Sequence, residues 1–174
     1  TASELDGFNR ALDELDVYLG NGDPEARARA ATALARANYE LVENPDWLML
    51  RERAPTLGWG VYIIARTQHA ALAIEVPAPL EDPHLAEVGV ALFQTLGAGS
   101  LAIAGSSARL DQNRSPIATL DALSIFQAFH RHAGGNDAIQ VRSLDPTNAR
   151  SLPAGSPTAG SVLLVDGALP EALQ

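Results

Sequence analysis

The chain has 174 residues, 47% of them hydrophobic, a formal net charge of −9 and a pI of about 4.7. That length suits one ordinary domain with a sizeable core, and the apolar content argues against disorder over most of it. The acidic balance and the lack of any basic run exclude nucleic acid as an expected partner, since phosphate binding needs clustered cations, and the absence of cysteine excludes disulfides, thiol catalysis and Cys-ligated zinc.

Residues 1–45 read as a helical hairpin. Leu5, Phe8, Leu12, Leu15 and Leu19 recur at spacings of three and four, which makes one apolar stripe. "GNGD" at 20–23 breaks it, and Asp23 with Pro24 is a helix-start signature for a second helix carrying Leu34 and Leu41. From residue 46 the pattern changes. "GWGVYIIAR" and "ALAIEVP" are short apolar runs bounded by turn residues, and they read as a strand pair with His69 in the hairpin loop. "EDPHLAEVGVALFQTLG" reads as a helix with Asp82 as its cap, Pro83 at its first position and Gly97 after its end. "SLAIAG" is a further strand and "DQNRSP" a polar loop. "TLDALSIFQAFHRHAGG" is a helix with Ala122, Phe126, Phe129 and Ala133 on one face. "AIQVRSL" and "SVLLVDG" are two more strands around a Pro/Gly/Ser-rich loop at 151–160.

Strands alternating with helices predict an α/β fold with a mostly parallel or mixed central sheet over residues 46–174, forming one structural unit with the hairpin. Ligands of such sheets gather beyond the carboxyl ends of the strands. Here those ends are "EVPAPLED" (75–82), "AGSSAR" (104–109), "VRSLDP" (141–146) and "VDGALP" (165–170).

Several residues at these ends carry possible chemistry. Glu75 is the one carboxylate inside an apolar strand, so it faces either solvent or a site. Asp82 is a site candidate with a ready role as a helix cap. Of the four histidines, His84 lies nearest a strand end, while His130 and His132 end a helix, where such residues are favourable anyway. Surface or capping histidines are favoured over metal ligands. Ser106 and Ser107 follow a strand, but the second glycine of a nucleophile elbow is missing, and loop serines that satisfy backbone groups are favoured. Asp111, Asn113 and Arg114 form "DQNR", in which an arginine fork beside an amide can hold a carboxylate; a polar turn before Pro116 is the competing reading. No phosphate-cradling glycine motif is present.

The motifs from Gly58 to about Pro170 resemble, in their order, a group of bacterial zinc-hydrolase-like proteins. That group is similar to the N-formylglutamate amidohydrolase and zinc carboxypeptidase type of α/β domain. The likeness is carried by "EVPAPLED", "AGSSAR", "LSIFQAFH" (123–130), "IQVRSL" (139–144) and "LVDG" (164–167). Where the family pattern carries metal-ligand histidines, this chain has Ala78, Ser107, about Leu120 and about Arg142. Ala, Ser, Leu and Arg cannot replace imidazole as zinc ligands, and an arginine repels a dication. The resemblance thus implies zinc in active relatives and no cofactor here. It also implies a carboxylate-binding role for Arg114.

The leading expectation is a catalytically inactive metallohydrolase-like domain. It would act as a binding or assembly module of a larger bacterial envelope or periplasmic protein, with a cytoplasmic setting also open. Its partners would be a protein or a neighbouring domain of the same chain, with a small anionic ligand and no direct membrane insertion. The start "TASELD", without Met, reads as that of a processed or cut piece. The rival expectation is an active amide or ester hydrolase of small acidic or peptidoglycan-like substrates. Its rearranged site would use Glu75, Asp82 and His84, with Arg114 holding a carboxylate.

Overall fold

The computed structural model describes residues 2–67, 70–105, 124–133 and 137–143, and the backbone of 161–165. The chain opens with α1 (Ala2–Asn21) and α2 (Pro24–Arg36). The stripe on α1 is buried at Phe8, Leu12 and Leu15. Asp23 caps α2 as its residues dictate: its Oδ1 accepts the Glu25 N–H at 2.8 Å, one of the donors a helix start leaves without a partner. The helical pair ends earlier than residue 45, because Asn38 takes a positive φ of 61° and turns the chain into a strand.

Among the described residues, seven strands form one mixed sheet in the order β1-β2-β3-β5-β4-β6-β7. They are β1 (Tyr39–Glu43), β2 (Trp47–Glu52), β3 (Val61–Ala65), β4 (Ala70–Val76), β5 (Ala98–Ile103), β6 (Asp137–Ser143) and β7 (Ser161–Val165). β1, β2 and β3 are an antiparallel meander, and β3 pairs antiparallel with β5. β4 is parallel to both β5 and β6, and β7 closes the far edge antiparallel to β6. The strands "GWGVYIIAR" and "ALAIEVP" are therefore not a hairpin: β5 lies between them. β3 instead spends its hydrogen bonds on β5 and on β2, a strand that the sequence reading passed over.

The two crossovers around β4 use opposite faces. α3 (Leu85–Thr95) joins β4 to β5 and packs on Ile74, Val76, Leu101, Ile139 and Val141. α4 (Ile125–Ala133) precedes β6 and packs on the other face with α1, α2, Tyr62 and Ala102. Strand alternation does the sorting, sending Ile74 and Val76 to α3 and Glu75 to α4. α3 begins after the expected cap: His84 is its N-cap position and makes no side-chain capping bond, and Asp82 Oδ1 accepts the His84 N–H at 2.9 Å in the turn before it. No described helix is long and apolar enough to cross a membrane.

Candidate functional site

A single register row crosses the sheet beneath α4: Tyr62 on β3, Ala102 on β5, Glu75 on β4 and Gln140 on β6. Consecutive residues of α4 lie over this row. Phe129 stacks on Tyr62 with ring centroids 4.8 Å apart, and His130 reaches Glu75. Ala102 is the small residue between the phenol ring and the carboxylate, and it leaves room for the helix to approach.

Glu75 is only 1% exposed, and both its carboxylate oxygens are used. His130 Nδ1 lies 2.6 Å from Oε1, and Gln140 Nε2 donates to Oε2 at 2.8 Å. An ionised carboxylate can only accept, so Nδ1 carries the proton of the first contact. The Gln140 amide is fixed from its other end, since Arg142 Nε and Nη2 donate to its Oε1 at 3.2 and 2.9 Å. The result is one chain of bonds, His130–Glu75–Gln140–Arg142, drawn from three elements. A buried charge is costly unless it is paired and hydrogen-bonded, and here every partner is supplied. No buried side-chain polar atom of the described residues is left without a partner.

The rim beside the row is also built by polar side chains. Glu52 accepts the backbone N–H groups of Leu57, Gly58 and Trp59. The Tyr62 and Tyr39 hydroxyls donate to the carbonyls of Trp59 and Gly60 at 2.5 and 3.2 Å. The loop so fixed lies on the end of β5, where a Cβ on Gly105 would stand 2.6 Å from the Gly58 carbonyl carbon. That glycine is required by close backbone approach.

Of the expected site residues, Glu75 and Arg142 belong to the network. Asp82 and His84 are joined to each other at the start of α3, and His84 Nδ1 faces Glu87 at 3.3 Å on an exposed surface; neither bonds to Glu75. Ser106, Ser107, Asp111, Asn113 and Arg114 lie outside the described residues, as do Leu120 and His69. His130 and Gln140 were missed. The first was read as a helix-end residue, yet Phe126, His130 and Ala133 are spaced by four and three and so share the sheet-facing side. The second follows from the alternation of Ile139 and Val141 toward α3, which turns Gln140 and Arg142 toward α4.

These residues do not fit a zinc ion. The Glu75 oxygens already accept two N–H donors, and Arg142 places a guanidinium on the Gln140 amide beside them. Among the described residues no three His, Asp or Glu side chains are grouped as a metal would need. Compared with protein-family models, with curated proteins and with solved structures, the chain gives no match.

Proposed function

We propose that the chain is a metallohydrolase-like α/β domain without a metal, serving as a binding module of a larger bacterial envelope protein. The observation that carries this reading is the closed bonding of Glu75 by His130 and Gln140, with Arg142 behind it. A carboxylate so placed is balanced by N–H donors and a fixed cation, the roles that a dication and its ligands fill in a metal centre. The resemblance in motif order supports the same reading. Glu75, His130, Gln140 and Arg142 come from three of the five motifs that carry it, and they meet at one place. Zinc titration by calorimetry, with metal analysis of the purified protein, is the test. The expected result is no stoichiometric tight site; one zinc per chain, lost in Glu75→Gln, contradicts it.

A second reading is favoured by one detail. Glu75 holds the ring by Nδ1, so Nε2 of His130 faces outward on a side chain that is 39% exposed. A carboxylate-oriented imidazole whose second nitrogen takes no bond among the described residues has the arrangement of a general base. In that case the chain is a metal-independent hydrolase of small acidic amides or esters, with His130 as its general base. Turnover of such substrates, unaffected by chelator and abolished in His130→Gln, supports it; no turnover in a broad amide and ester screen removes it.

A further inference from the structure

We infer that the cleft between α3 and the β2–β3 side of the sheet is a binding site for a small ammonium compound with an aromatic or branched apolar body. The cleft lies on the opposite face of the sheet from the Glu75 row and does not depend on the function proposed for that row. Its volume is about 420 Å³, within the range of about 300–1,000 Å³ usual for small-ligand sites. The topology creates it. α3 packs on β4, β5 and β6, while α1, α2 and α4 lie on the other face, so β3 and β2 extend past the edge of α3. Alternation turns Trp47 of β2 and Ile63 and Ala65 of β3 toward the α3 side, since Leu48, Tyr62 and Ile64 go to the other layer. Side-chain size makes the room. Trp47 and Ala65 are register partners, a large residue opposite a small one, and Ala98 continues the low floor. α3 supplies the wall: Phe93 and Gln94 follow Val90 by three and four residues, so they share one side of the helix, and apolar Val90 is left 36% exposed.

The chemistry of the lining selects the ligand. An indole and a phenyl ring in one cleft suit an apolar body, and the indole is also the aromatic group that attracts a cation most strongly. Among the described residues, exposed Asp46 is the one charged side chain of the lining, and no cation shares the cleft with it. The turn that carries Asp46 is ordered in advance. Asn44 Oδ1 accepts the N–H groups of Asp46 and Trp47 at 2.7 and 3.1 Å, so the carboxylate and the indole are presented by one fixed turn. A group held in place before binding loses little entropy on binding. The arginines of the neighbouring strand ends are engaged elsewhere. Arg66 lies on Glu43 and the Tyr18 hydroxyl, on the side of α1, and Arg51 lies on Glu40. With a net charge of −9 on the chain, the field at the mouth favours a cation over an anion. The apolar body thus seats between Trp47 and Phe93, with its ammonium at Asp46.

The test is nitrogen-15 NMR of the whole chain during titration with 2-phenylethylammonium chloride. 2-Phenylethanol and sodium 3-phenylpropionate, which keep the ring and change the charge, are run in parallel at matched ionic strength. The expected result is a saturable shift of the Trp47 indole N–H and of the Gln94 and Ala98 amides with the ammonium, weaker binding of the alcohol and the weakest of the carboxylate. The second indole, Trp59, lies outside the cleft and stays still. Asp46→Asn weakens the ammonium about two- to fivefold, the worth of an exposed ion pair, and leaves the alcohol unchanged. Ala65→Leu, which fills the floor, weakens the ammonium about tenfold or more. The backbone amides of α1 and β6 report that each variant is folded. Absence of a saturable shift at Trp47, equal affinity for the three probes, or undiminished ammonium binding in either variant overturns the inference.

Discussion

Glu75 is the one buried charged side chain among the described residues, and a carboxylate 1% exposed must find its partners within the protein. Glu75→Gln keeps the shape but places an NH2 group against one of two donors, His130 Nδ1 or Gln140 Nε2. The expected loss is about 1–3 kcal/mol of unfolding free energy, read from urea denaturation. Glu43 is the second instructive residue. Partial burial pushes its carboxyl up, but hydrogen bonds from Arg27, Arg66 and the Tyr18 hydroxyl outweigh that and hold it below the usual range. A lowered folded-state value means the stabilisation is present at neutral pH and is lost as pH falls below about 4, through the lowered value. Glu43→Gln is expected to cost about 1 kcal/mol at pH 7 and progressively less in acid, seen as converging thermal melting curves. At this scale Glu75 could be singled out from the sequence, because a charge inside an apolar strand is conspicuous. His130 could not be preferred so easily, because the end of a helix offers a histidine a second, equally physical reason to be there.

Elements were legible where short-range chemistry decides them. The Asp23–Pro24 start, the stripe on α1 and Gly97 (φ 58°) after α3 are local signals with local consequences. The β1–β2 pair escaped because Leu41 of β1 also fits the spacing of the preceding helix, and β2, after "NPD" at 44–46, was assigned to no element. The β3–β4 hairpin failed for another reason: proximity in sequence suggested pairing, while the hydrogen bonds of β4 go to β5 and β6. Gly89 gives a test of how closely α3 sits on the sheet. A Cβ there would stand 2.4 Å from Cγ2 of the fully buried, rotamer-restricted Val76. Alanine is favoured over glycine in a helix by about 1 kcal/mol, but overpacking of this kind costs about 1–3 kcal/mol. Overpacking prevails, and Gly89→Ala lowers the melting temperature.

Across the whole molecule, the sheet separates two apolar layers and places the polar row on the side of α1, α2 and α4. Composition and the alternation of elements were enough for an α/β mixed sheet. Strand order was not legible, because it depends on which distant strands find each other, and the convergence of Glu75, His130 and Gln140 depends on that order. Tyr39 and Tyr62, packed with Phe8 at the centre of the larger layer, tie global stability to pH on the alkaline side. Burial raises both phenols well above the usual tyrosine range, with their mutual proximity and Glu52 adding to the rise at Tyr39. A raised folded-state value means stability is full below the unfolded phenol value of about 10 and falls as pH rises above it, since the unfolded chain then releases protons that the fold retains. The double variant Tyr39→Phe/Tyr62→Phe should flatten that alkaline fall in denaturant titrations at several pH values.

The central claim is that the Glu75 row is a closed, metal-free network. Anomalous diffraction at the zinc edge, from crystals grown with excess zinc, tests it most directly. The account predicts no zinc peak at the row, with Glu75 Oε1 on His130 Nδ1 and Oε2 on Gln140 Nε2; a zinc peak between Glu75 and His130, with Gln140 turned away, contradicts it.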